Sequence, residues 1–297
     1  MCPEKDLETQ TMSLARILVA TDFSATSNKA LSYAVALARQ YHARILLVHV
    51  LTAVDEFGHA DASSAAYQTQ RQAAEHAIAD ILASKQMEDV SHEALLSEGF
   101  LWQTLDQLIR NKGVDLVAVG TRGARAARPE SMGSAAELVS RHADCPVLIA
   151  GPAINSESRE VPRFKNILFA TDFGLAARHA AVCAFSMARD LRATVTLLHV
   201  LGETSYYSEG GLTMLDETTR VRLIECVPEE LAAFCKVECA VQYGDPAEKI
   251  VKVARDRNAD LIVMGARSGR PLATHLPQAA AYTVAAKAPC PVITVRA

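Results

Sequence analysis

An internal repeat constrains this chain more than any other feature. Residues 17–51 read ILVATDFSATSNKALSYAVALARQYHARILLVHVL, and residues 167–201 read ILFATDFGLAARHAAVCAFSMARDLRATVTLLHVL. Set side by side without a gap, they agree at about 15 of 35 positions. Ala-Thr-Asp-Phe stands near the start of both (Ala20–Phe23, Ala170–Phe173), and Leu-x-His-Val-Leu closes both. The later parts repeat too, at an offset shorter by about five residues. Val114–Gly120 matches Ala259–Gly265, and Cys145–Ile149 matches Cys290–Thr294. The 297 residues therefore read as an N-terminal tail (1–13), a first domain (14–152), a linker rich in Gly, Pro, Ser and charge (153–163) and a second domain (164–297).

Within each half, short apolar runs alternate with segments of helical periodicity. In the first half the strand-like runs are Arg16–Ala20, Arg44–Val50, Val90–Leu96, Val114–Val119 and Pro146–Ala150. The helix-like segments are Ser24–Tyr41, Ser64–Ser84, Phe100–Asn111 and Gly133–His142, with Ser24 or Thr26 placed to cap the first of them. Strands alternating with helices imply parallel strands joined by right-handed crossovers, hence an open, doubly wound five-stranded sheet per half. Such sheets bind ligands at the carboxyl ends of their strands.

Composition narrows the function classes. The chain is half hydrophobic, 22% charged and carries a formal charge of -4, which does not suit a dedicated nucleic-acid binder. With 5% aromatic residues and one tryptophan, Trp102, it lacks material for a base-stacking platform. No apolar run approaches the roughly 20 residues of a spanning helix, and no secretory signal opens the sequence, so no membrane insertion and a cytoplasmic location are expected. The seven scattered cysteines read as reduced thiols, with Cys235 and Cys239 placed on a strand over Phe234–Val241.

The chemistry concentrates in two places. Thr21-Asp22 follows the first strand. After the fourth strand comes Gly120-Thr121-Arg122-Gly123, and later Gly133-Ser134 opens a helix. Glycines allow backbone N–H groups to approach an anion, a helix N-terminus favours a phosphate, and Arg122, Arg125 and Arg128 add positive charge. A flexible loop with a solvated basic face would look similar.

Gly120, Gly123, Gly133 and Ser134 fit G-x2-G-x9-G-[ST] without a gap, and in this pattern the chain resembles the universal stress protein family. Thr21-Asp22 and Leu47–Val50 resemble its opening motifs. The resemblance covers nearly the whole chain, once per half, as in tandem members. It implies two homologous Rossmann-like, adenine nucleotide alpha hydrolase-like domains arranged as an intrachain pseudo-dimer. It also implies an ATP site, with or without Mg2+. There Ala20, Thr21 and Asp22 would meet adenine and ribose, and Val50 the base. Val119, Gly120, Gly123, Gly133, Ser134 and Ala135 would wrap ribose and phosphates. Arg122 is added for its charge and position. Asp22 also has a structural reading as a helix cap.

The second half departs from the signature. It has Gly265, Ser268, Gln278 and Ala279 at the four positions, so only the first glycine survives. Its nucleotide binding is expected to be lost or altered. His49 and His199, repeated within the second strands, read as hydrogen-bonded core residues rather than catalytic bases. The resulting expectation is an ATP-binding regulatory stress protein with no catalytic or metal-ligating residues assigned. Whole-chain homodimerisation and an unidentified signalling partner are left open. A slow ATPase or phosphoryl-transfer enzyme remains an alternative, although no P-loop lysine is present. A nucleotide-independent interaction module is the other.

Overall fold

The computed structural model describes residues 12–52, 64–121, 134–154, 162–202, 209–266 and 280–297. The chain divides into two compact units, one built on Ser13–Pro152 and the other on Arg163–Ala297.

The first unit runs β1 (Arg16–Ala20), α1 (Ala25–Tyr41), β2 (Arg44–Leu51), α2 (Ala65–Leu82), β3 (His92–Glu98), α3 (Leu101–Lys112), β4 (Leu116–Gly120), α4 (Ser134–His142) and β5 (Val147–Ala150). The second repeats this as β6 (Asn166–Ala170), α5 (Leu175–Leu191), β7 (Thr194–Leu201), α6 (Glu209–Glu225), β8 (Val237–Tyr243), α7 (Pro246–Asp256), β9 (Leu261–Gly265), α8 (Ala280–Lys287) and β10 (Val292–Val295). Strand order is β3-β2-β1-β4-β5 in the first unit and β8-β7-β6-β9-β10 in the second, every pairing within a unit parallel. These are the doubly wound five-stranded sheets that the alternation implies.

The core follows from the sequence pattern. Ile17, Leu18 and Val19 of β1 are all fully buried, as a central strand covered on both faces requires. Helix α1 lays Ala30, Ala34, Leu37 and Ala38 on the sheet, and the small alanines let the helix backbone come close. It ends at His42, whose φ of 54° is the left-handed turn that terminates a helix. The equivalent Arg192 does the same in the second unit, with φ 50°.

Element boundaries differ from the sequence reading by one to three residues at several places, and two of these have a visible cause. The third strand begins at His92 rather than Val90, because Val90 is taken up closing the turn after Lys85–Met87. Likewise β8 begins at Val237, so Cys235 stands outside the strand, its Sγ 3.4 Å from the Leu231 carbonyl.

All six cysteines among the described residues are free thiols. Burial pushes Cys183 and Cys290 up to about 12. The thiolate is the reactive form, so a disulfide-exchange reagent at pH 8 should label neither in the native protein and both after unfolding. Because the folded state holds these thiols protonated while the unfolded chain ionises them near pH 9, each should lower stability by about 1.4 kcal/mol per pH unit as pH rises from there toward 12. Denaturant melts across that range measure it.

Candidate functional site

In the first unit the chain leaves β1 outward through β2 and β3, then returns to place β4 and β5 on β1's other side. The strand order therefore reverses between β1 and β4, and the carboxyl ends of these strands form the crevice where such sheets bind ligands. Ala20 pairs with both Val48 and Val119, so β1 and β4 end at nearly one level while β2 runs three residues further, to Leu51. This level brings Ala20, Thr21, Asp22, Val50, Val119 and Gly120 to one edge of the sheet. Arg122, Gly123 and Gly133, and the side chain of Ser134, lie outside the described residues. Ser134 is the first residue of α4, and Ala135 stands half-buried in its first turn.

The Thr21-Asp22-Phe23 segment turns the chain from β1 into α1. Thr21 Oγ1 accepts a hydrogen bond from Phe23 N (3.0 Å), and Asp22 Oδ1 accepts one from Ser24 N (3.1 Å). Phe23 lies at φ 63°, a left-handed conformation that costs a bulky residue about 1–2 kcal/mol. The two side-chain hydrogen bonds and the packing of its ring offset that cost. Phe23 rests on the Leu51, Tyr67 and Ala74 cluster, with its ring 4.5 Å from that of His49. His49 Nδ1 is 2.7 Å from the Thr21 carbonyl oxygen. A carbonyl only accepts, so Nδ1 carries the proton, and His49 clamps the turn.

The cap of α1 is Ser24, whose Oγ accepts from Ser27 N at 3.2 Å. Asp22 is therefore not the helix cap considered from the sequence; it closes the turn one step earlier. Four hydroxyls gather here. Thr21 Oγ1 lies 3.2 Å from Ser27 Oγ, and Ser24 Oγ lies 3.3 Å from both Thr26 Oγ1 and Ser27 Oγ. Just after β4, Thr121 is almost wholly buried, and its Oγ1 has no hydrogen-bond partner among the described residues. Burying a hydroxyl without a partner is costly, so this group suits an acceptor supplied from outside the fold. Lys29, one turn into α1, donates to the Pro152 carbonyl (3.3 Å) just beyond β5, and partial burial lowers its pKa from the ordinary lysine value.

Gly120 has a structural duty that the loop signature did not suggest. A Cβ there would lie 2.5 Å from Ser27 N and 2.6 Å from the Thr26 carbonyl carbon. The absence of a side chain lets the first turn of α1 press on the end of β4. Gly265 has the same duty, since its Cβ would meet Ala176 C and Ala177 N at 2.6 Å. This explains why the second half keeps the first signature glycine. Ser268, Gln278 and Ala279 lie outside the described residues.

The second unit copies the turn atom for atom. Thr171 Oγ1 accepts from Phe173 N (3.0 Å), Asp172 Oδ1 from Gly174 N (2.9 Å), and His199 Nδ1 donates to the Thr171 carbonyl (2.7 Å). Phe173 has φ 60° and stacks 4.6 Å from the His199 ring. The polar lining is not copied. Ser24, Thr26, Ser27 and Thr121 correspond to Gly174, Ala176, Ala177 and Ala266. This loss of hydroxyls was missed from the sequence, although aligning the halves displays it. Among the described residues no group of three His, Cys, Asp or Glu side chains could hold a metal ion. No helix among them is long and apolar enough to cross a membrane.

The universal stress protein family model matches residues 14–151 and again 163–296. This chain belongs to the universal stress protein family. A Thermus aquaticus universal stress protein, from the 3' region of a QAH/OAS sulfhydrylase, is 33% identical over 138 residues, spanning 45% of this chain and 99% of that relative. Among solved structures, a universal stress protein from Archaeoglobus fulgidus superposes with TM-score 0.68 at 19% identity, covering 95% of this chain and 98% of its own. A functionally unknown protein of Pseudomonas aeruginosa superposes with TM-score 0.62 at 18% identity, covering 96% and 93%. At these identities the two structures speak to the fold, and the full-length coverage fits a tandem universal stress protein.

Proposed function

We propose that the first domain binds ATP at the carboxyl ends of β1, β2 and β4, and that the protein acts as a nucleotide-responsive regulator in a stress response. The observation that carries this reading is the contrast between the two switch-point crevices. The first has a buried, unpartnered Thr121 hydroxyl at the end of β4 and a cluster of four hydroxyls at the end of β1, together with the full G-x2-G-x9-G-S sequence. The second keeps Thr171 but has glycine or alanine at the other four hydroxyl positions, and its signature is eroded. Asp22 and Thr21 would meet the ribose and adenine, and Val50 would pack on the base. Val119, Gly120, Gly123, Gly133, Ser134 and Ala135, with Arg122, would enclose ribose and phosphates. Any Mg2+ would arrive on the phosphates, since the described residues offer no carboxylate cluster of their own. ATP binding would change the surface a partner sees.

Calorimetric titration of the full chain with ATP tests the reading. One saturable site per chain is expected. Gly133→Val should abolish it, because a branched side chain at this signature glycine would block the close approach of a phosphate. Absence of heat with the wild type, or two equal sites per chain, would overturn the proposal.

A further inference from the structure

We propose that the second domain carries a separate site, a groove between α7 and α8 that takes a two-ring aromatic molecule bearing an anionic group. The groove has a volume of about 580 Å3, within the range of small-molecule sites. Ala247, Val251, Thr283 and Ala286 supply apolar lining, and Lys252, Arg255 and Lys287 stand on its rim beside Glu248 and Asp256.

The first domain shows what fills such a groove. At the offset that aligns β4 with β9, Ala247 corresponds to Trp102 and Lys287 to His142. In the first domain these two rings lie 5.3 Å apart, centroid to centroid, between α3 and α4. The second domain keeps both helices but replaces the indole with a methyl group, leaving ring-sized space. The rest of the groove changes with it. Arg110 of α3 pairs with Asp106 (3.0 Å) and Asp144 (3.3 Å). Its counterpart Arg255 finds Val251 at the first of these positions and reaches only the Lys287 carbonyl, at 3.4 Å. Gln107 becomes Lys252. Among the described residues neither Lys252, Arg255 nor Lys287 has a carboxylate within ion-pair distance. Three cations against two carboxylates on an apolar trough match a planar ring with a carboxylate or sulfonate at its edge.

Titration of the full-length protein with 1-naphthoate, followed by calorimetry, tests this site. Saturable binding at one site is expected, weakening as salt is raised. Ala247→Trp, which restores the first-domain arrangement, should abolish it while ATP titration is unchanged, so this site stands or falls apart from the nucleotide site. Lys252→Glu combined with Lys287→Glu, both at exposed positions, should weaken it at least tenfold in a protein that circular dichroism shows to be folded. Neutral 1-naphthalenemethanol should bind at least tenfold less tightly. No saturable binding, binding that survives Ala247→Trp in a folded protein, or equal affinity for the neutral alcohol would overturn the proposal. So would capture of an aromatic peptide with no affinity for 1-naphthoate, which would give the groove to a protein partner.

Discussion

Replacing Gly120 with alanine is expected to destabilise the first domain by about 3 kcal/mol, the upper end for overpacking a well-fitted core. The added methyl would sit 2.5–2.7 Å from Ser27 N, Thr26 C and Thr26 Oγ1. Two of these are backbone atoms of α1, which cannot rotate aside as a side-chain tip can. Relief requires the whole first turn to lift, and that turn is tied down by the Ser24 cap and the Thr21–Ser27 hydroxyl contact. Gly265→Ala should cost the second domain a similar amount, for the same contact with Ala176 and Ala177. Gly210→Ala is the control: nothing lies within 4 Å of its Cβ, and on α6 alanine should be neutral or slightly stabilising. Urea unfolding followed by circular dichroism measures all three. Trp102 is the only tryptophan, so its fluorescence reports the first domain alone. An unchanged midpoint for Gly120→Ala would show that α1 does not press on β4.

Asp22→Ala is expected to weaken ATP binding by about 10- to 100-fold, the worth of a charge-assisted hydrogen bond of about 1.5–3 kcal/mol. Taken alone the result would be ambiguous, because Asp22 also holds the turn through Ser24 N. The repeat supplies its own control. Asp172 makes the same turn contact with Gly174 N, so Asp172→Ala removes the same structural bond at the other copy. Both substitutions should lower the stability of their own domains comparably, by about 1 kcal/mol. Only Asp22→Ala should change the affinity for ATP. Equal affinity in both variants would reduce Asp22 to a turn residue.

The fold was legible because its signals are local and were written twice. Apolar runs such as Ile17–Val19 and helical spacing such as Ala30, Ala34 and Leu37 depend on neighbours along the chain, and the second copy tests each assignment. The position of the candidate site was legible for the same reason: Thr21-Asp22 and Gly120 mark strand ends, and the structure places them at the carboxyl ends of β1 and β4. The physical purpose of those residues was less legible. From sequence, Gly120 looks like a glycine for an anion, whereas its first contact is with a helix 94 positions earlier in the chain at Thr26. Likewise His49 shows no sign, in its own strand, of the carbonyl it holds at Thr21. Such long-range contacts exist only once the sheet has been assembled. The hydroxyl lining failed for a different reason: serine and threonine are common at helix starts, and only their joint disappearance from the second copy makes them informative.

The strained turn at Phe23 recurs at Phe173, though of the hydroxyls around it the second crevice keeps only that of Thr171. Its upkeep therefore does not depend on what the crevice holds, and geometry and chemistry are separable inheritances in this chain. After duplication, one copy could drift in its polar lining because the turn, the histidine clamp and the close glycine kept the backbone in place. The second domain is in this sense a blank cast of the first. Restoring Ser, Thr, Ser and Thr at positions 174, 176, 177 and 266 would return the hydroxyls to the same backbone course, provided the Asp172 carboxylate gives way to the new Cβ at 174, which would otherwise lie 2.9 Å from its Oδ1.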